Sequence, residues 1–116
     1  MPQPGALPRI RGTQVGLRDP ALVDQIKADM IAGRYVYTEE RGRVYGLQDA
    51  RGTFYVKEGH HRMAAALEIF RETGDPTPVY EPLRSGKFEV ANYTPNDGRP
   101  MPARGWCGFL RNWMGF

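Results

Sequence analysis

The stretch "FYVKEGHHRMAAALEIF", residues 54–70, holds both histidines of the chain, side by side, after a glycine and before an arginine. Its first residues alternate aromatic and branched side chains, which suits a strand that ends at Glu58 and Gly59. A helix is expected to begin at once, from about His60 to Thr73, closed by Gly74 and then Pro76. Met63, Leu67 and Phe70 would form its buried stripe, supported by Ala66 and Ile69. A strand that feeds a helix through glycine exposes the first free N–H groups of that helix, at the positive end of its dipole. Such a turn is an anion site in waiting, and glycine lets a ligand approach the backbone closely. Arg62, in the first turn, is unfavourable there unless an anion is bound, and its planar fork suits phosphate oxygens. The competing reading is a solvated His-His-Arg run on an ordinary strand–helix junction.

Upstream, "RYVYT", "RVYGLQD" and "TFYVKE" read as short strands joined by the glycine turns "EERG" and "ARG". Before them, "RDPALVDQIKADMIAGR" carries a helix signature: Asp19 to cap, Pro20 at the first helical position, Gly33 to stop. Leu22, Ile26 and Met30, with Val23 and Ile31 beside them, would make its apolar face. The opening contains three prolines and is expected to be an arm or edge strand leading into a loop. Downstream, "TPVYEPL" and "KFEVANY" look like two further strands. "TPNDGRPMPARG" reads as a linker, and Trp106, Phe109, Leu110 and Trp113 fall at helical spacing in the last segment. The organisation expected is an arm over residues 1–9, one domain over 10–92, and a linker with an amphipathic segment over 93–116.

The 116 residues suffice for one modest core. A hydrophobic share of 41% and a charged share of 25% are ordinary for a water-facing domain. No apolar run approaches the roughly 20 residues that cross a bilayer, so no membrane partner is expected. The first ten residues lack the basic segment and apolar core of a signal peptide. The single cysteine, Cys107, excludes an internal disulfide and a cysteine-rich zinc site. A net charge of +3 suits anionic partners such as nucleotides or nucleic acid without demanding them. The two histidines do not read as one metal site, because neighbours on a helix point about 100° apart. Beside the positive helix end a histidine tends to stay neutral, which would suit His60 as base or nucleophile.

The segment "YVKEGHHRMAAALE" resembles the signature of the ParB/sulfiredoxin superfamily, in which a strand ends in Gly-x-His/Arg-Arg and opens an alanine-rich helix. The likeness extends to "GTQVGLRDPALVDQIKADMIAGRY" and "TPVYEPL", so it covers roughly residues 10–83. It implies an α+β fold: a small domain with a short mixed sheet, two main helices and, here, a C-terminal aromatic helix. It further implies that Gly59, His61 and Arg62 grip phosphate, with Gln14 of the preceding loop facing the same pocket. His60 falls where sulfiredoxins carry their reactive cysteine, so sulfinic acid repair by the usual chemistry is not expected. Glu58 stands where relatives often have an acidic residue, as a general base or a Mg2+ ligand. His60, Glu58 and His61 are thus the candidate catalytic residues.

Members of that superfamily include CTPase switches, ATP-using sulfiredoxins, ADP-using kinases and ParB-like nucleases. The chain is also similar to the domain-sized ParB-like units of bacterial polymorphic toxins. That likeness implies a phosphate-bond hydrolase acting in the cytoplasm, delivered within a larger secreted protein and countered by an immunity protein. A non-catalytic nucleotide-binding switch associated with DNA is the alternative, and a structural or inhibitory protein is the third. The strand tyrosines could stack on bases, although half-buried sheet positions account for them as well. The aromatic C-terminal segment is compatible with packing on the domain, with a partner protein, or with a membrane interface.

Overall fold

In the computed structural model, β3 (Phe54–Glu58) runs straight into α2 (His60–Thr73) through Gly59. The structure describes residues 7–14, 16–37 and 43–102. The "EERG" turn, Cys107 and the aromatic C-terminal segment lie outside the described residues. Gly59 adopts φ 95° and ψ 28°, a left-handed conformation that branched carbons disfavour, and Gly74 closes the helix with φ 77°. α2 buries Met63, Ala65, Ala66 and Ile69, while Leu67 and Phe70 are only partly buried against the core. It packs against α1 (Pro20–Ile31), β3 and α3 (Thr77–Ser85). A helix with neighbours on several sides needs small residues, which is the use of its three consecutive alanines.

α1 begins as its sequence predicts. The Leu22 N–H donates to Asp19 Oδ1 at 3.3 Å, Pro20 occupies the first turn, and Gly33 has φ 75°. Its buried face is Val23, Ile26 and Met30; Leu22 and Ile31 turn outward at 38% and 65% exposure. Ile26 and Met30 of the expected stripe are buried, with Val23 taking the inward place expected of Leu22.

Two expected strands are not strands. "TPVYEPL" forms α3, with the Thr77 N–H donating to Asp75 Oδ1 at 3.0 Å and Val79 and Pro82 facing inward. Pro78 and Pro82 cannot donate to a ladder, which argues against a sheet. In the helix Pro78 sits in the first turn, whose N–H groups are unpaired anyway. Residues 34–37 carry no strand either: the Arg34 and Tyr35 N–H groups donate to the Asp29 carbonyl, at 2.8 and 3.2 Å. With those donors used at the end of α1, no ladder can form. Tyr35 and Tyr37 instead meet edge to face, ring centres 4.9 Å apart, partly buried against the core.

The five-stranded sheet is mixed, in the order β4 (Lys87–Val90), β2 (Tyr45–Gln48), β3, β1 (Ile10–Gly12), β5 (Arg99–Pro100). β1 runs parallel to β3, β2 antiparallel to β3, β4 parallel to β2, and β5 antiparallel to β1. The expected linker thus contributes a sheet strand, and Pro102 beyond it is buried. The sheet pairs Tyr45 with Glu58 but Gly46 with Val56, so Lys57 is an extra residue that bends the end of β3. No helix among the described residues is long and apolar enough to cross a membrane.

Asp49 organises the β2–β3 turn. Its Oδ1 accepts the Arg51 and Thr53 N–H groups at 2.9 and 3.0 Å, and its Oδ2 the Tyr55 hydroxyl at 3.4 Å. At 6% exposure these donors have little water to replace it. Asp49→Ala is expected to cost about 2 kcal/mol, measured by urea denaturation, because it strands buried donors. A change below about 0.5 kcal/mol would show that the turn holds itself by Gly52 alone.

Candidate functional site at the tip of the second helix

Gly59 is fixed by space as well as conformation: a Cβ there would sit 3.0 Å from Val44 Cγ2 and 3.2 Å from Val44 Cα. The Met63 N–H returns to the Gly59 carbonyl at 3.0 Å. Among the described residues no side chain caps α2, and no acidic residue lies in its first turn. The N–H groups of the first turn therefore carry the dipole's positive end without a carboxylate to balance it.

The two imidazoles have separate partners. His60 is 4% exposed, and its Nε2 accepts the Thr13 N–H at 3.1 Å. Thr13 is held in turn by its hydroxyl, which donates to the Val56 carbonyl at 3.0 Å. Gly12 lies against the His60 ring, where a Cβ would stand 3.2 Å from Cδ2 and 3.0 Å from Pro102 Cδ. His61 Nε2 accepts the Asp19 N–H at 3.0 Å. A neutral ring that accepts at Nε2 carries its proton on Nδ1, so both rings share that tautomer. Burial pushes the His60 pKa below its usual value, the neighbouring His61 adds to this, and the Val56 carbonyl opposes it. The pair thus clamps the two ends of the Thr13–Asp19 loop onto α2, and both Nε2 lone pairs are in use.

Arg62 hydrogen-bonds the Tyr35 phenol. Burial raises the Tyr35 pKa, and the Arg62 charge and hydrogen bond pull it back. Tyr37, next to it, is pushed up to about 12 by burial and then by Glu81. One phenol engages only part of a guanidinium with five donors, so Arg62 keeps capacity for an anion. Arg43 flanks the same turn, its carbonyl 3.4 Å from the Cβ position at Gly59. Its Nε is buried without a hydrogen-bond partner among the described residues.

Glu58 and Gln14 stand apart from this group. Glu58 is exposed and lines a groove of about 810 Å³ on the outer sheet face, with Tyr45, Lys57 and Lys87. The Gln14 amide folds back on the Gly16 carbonyl. Gly59, His60, His61 and Arg62 are thus together at the helix tip, while Glu58 is directed to another surface. No three His, Cys, Asp or Glu among the described residues form a group that could hold a metal ion. Among the described residues, Glu58 has no carboxylate partner at the tip.

Sequence reasoning did not single out Thr13; it offered Tyr35 only as one of several tyrosines that could stack on bases and Arg43 only as one of several scattered basic residues, neither as part of this tip. Only "GT" before Gln14 hinted at the first. The Thr13–His60 contact spans 47 positions, a separation at which no local pattern speaks. Compared with protein-family models, with curated proteins and with solved structures, this chain matches none.

Proposed function

We propose that the tip of α2 binds a phosphate group of a nucleotide or nucleic acid. The observation that carries this reading is a helix that starts at an uncapped left-handed glycine, has no acid in its first turn, and places Arg62 there. A cation in the first turn with no acid to balance it is unfavourable for an isolated helix and favourable beside an anion. Arg43, whose backbone flanks the same turn, supports it, since its buried Nε has no partner among the described residues and a buried unpaired donor is costly. The likeness of Gly59-His60-His61-Arg62 to the ParB/sulfiredoxin signature points the same way.

The geometry favours binding over cleavage. A general base needs a free lone pair within reach of the proton it takes. His60 and His61 offer Nε2 to Thr13 and Asp19 instead, so either would act only after the loop is released. The histidines are better read as the device that positions the loop beside the phosphate. A binding module of this kind serves as a nucleotide-dependent switch.

Calorimetry with ATP, CTP and a single-stranded oligonucleotide, with and without Mg2+, tests the proposal. Binding by at least one of these is expected. Arg62→Ala should weaken it about 30-fold, the loss of a charge-assisted contact worth about 2 kcal/mol. Wild-type affinity in that variant, or no binding of any phosphate compound, would overturn the reading. Product formation would restore the hydrolase reading over the switch.

A further inference from the structure

Among the described residues, β4 is one edge of the sheet, with a neighbour on one side only. The Lys87 N–H donates to the Val44 carbonyl at 2.9 Å and the Ala91 N–H to the Gln48 carbonyl at 2.8 Å. In a parallel ladder alternate residues turn to the neighbouring strand, here Lys87, Glu89 and Ala91. The N–H and C=O groups of Phe88 and Val90 therefore face outward, unpaired by any described strand. Bare edges of this kind are ordinarily blunted by short length, lysines, prolines, bulges or a covering element. β4 has no proline, and it shows an outward Val90 at 82% exposure with Tyr93 at 59% just beyond. Its two charges are of opposite sign and two residues apart, so they share the outer sheet face.

That spacing selects a partner. Two copies of β4 running antiparallel about Phe88 would place Phe88 against Phe88, in a pair that exchanges both backbone hydrogen bonds. Lys87 of each copy would then lie opposite Glu89 of the other, twice over. Centring the pair on Glu89 would set two carboxylates face to face, a destabilising arrangement. A parallel pairing would not close by a two-fold axis. Neither Lys87 nor Glu89 has an ion-pair partner among the described residues, although the Lys87 ammonium lies 6.0 Å from the Tyr45 ring centre.

We infer that β4 pairs with β4 of a second copy of this chain, antiparallel about Phe88, with two Lys87–Glu89 contacts fixing the register. The two five-stranded sheets become one continuous sheet. The paired edge is four residues long, so the contact is of the small, reversible class that buries less than about 1,200 Å².

Sedimentation velocity over micromolar to millimolar concentration reads it directly. The wild type should pass from monomer to dimer as concentration rises. Lys87→Glu and Glu89→Lys, each alone, set like charges opposite one another and should weaken association about tenfold. Both positions are exposed, so circular dichroism should show an unchanged fold. An equimolar mixture of the two single variants should recover wild-type association, because every facing pair is again of opposite sign. Val90→Pro, which removes the outward N–H that would meet the Gly86 carbonyl of the second copy and leaves the β2 ladder whole, should weaken it. A wild type that stays monomeric, single variants that dimerise as well as wild type, or a mixture no better than its components would each overturn the inference. Association that all three substitutions leave unchanged would assign the dimer to another surface.

Discussion

Gly46→Ala is expected to destabilise the protein by about 3 kcal/mol or more, the upper range for forcing a side chain into a filled space. A Cβ at Gly46 would stand 1.9 Å from the Tyr55 carbonyl oxygen, 2.9 Å from its carbon and 3.1 Å from Phe88 Cε1. The first two neighbours are backbone, and they cannot retreat without opening the ladder between β2 and β3. Gly46 lies where that ladder shifts register, beside the extra residue Lys57. The strand strained by the substitution is the one that delivers Gly59 and the helix tip. Against a total stability of roughly 5–15 kcal/mol, this loss would leave a large share of molecules poorly folded at elevated temperature. Thermal and urea denaturation followed by circular dichroism measures it. Gly16→Ala is the control: nothing stands within 4 Å of its Cβ position, so a change within about 0.5 kcal/mol is expected. A loss under 1 kcal/mol at Gly46, by the same bookkeeping of close contacts, would disprove the β2–β3 register.

His60→Ala should cost about 3 kcal/mol, combining a cavity under Gly12 with an unpaired Thr13 N–H. A ligand-facing catalytic histidine would instead be removable with the fold intact. His60→Gln keeps an acceptor near the Nε2 position and should recover part of the loss. The same residue sets a pH dependence. Its folded pKa lies below the ordinary 6.5, so the unfolded chain binds a proton that the folded imidazole refuses. Stability from this group is complete above 6.5 and falls as pH drops below it, toward the depressed folded value. Wild type should therefore lose urea midpoint between pH 7 and 5.5 more steeply than His60→Gln, which has nothing to titrate there. Equal slopes would show that the imidazole is solvated in both states.

Much of the fold could be read in the chain because the signals are local. Asp19 with Pro20 starts α1, Gly33 and Gly74 stop helices, and alternating aromatics mark β2 and β3. Each signal acts through backbone conformations or hydrogen bonds within a few residues. The failures have an equally definite cause. Tyr35 and Val79 sit in stretches of strand-like composition, but in one the N–H groups are already used by Asp29, and in the other Asp75 and two prolines favour a helical start. Strand propensity reflects a half-buried surface, and α3 offers such a surface as well. Arg99 and Pro100 carry no strand signal of their own; β5 exists because β1 has a free side.

By itself the sequence established that a strand meets a helix at Gly59 and that two imidazoles and a guanidinium follow there, since glycine and helix-forming alanines act within a single turn. Which atoms those imidazoles serve was a matter for the tertiary structure alone. Thr13 and Asp19 reach them only when β1 lies parallel to β3 and the loop after β1 folds across the helix tip, contacts spanning 47 and 42 positions. The destination of Glu58 was decided in the same way, by a register shift that depends on which strand lies alongside. Local chemistry places residues along the backbone; partners distant in sequence meet only through chain closure and packing, whose energies belong to the whole domain.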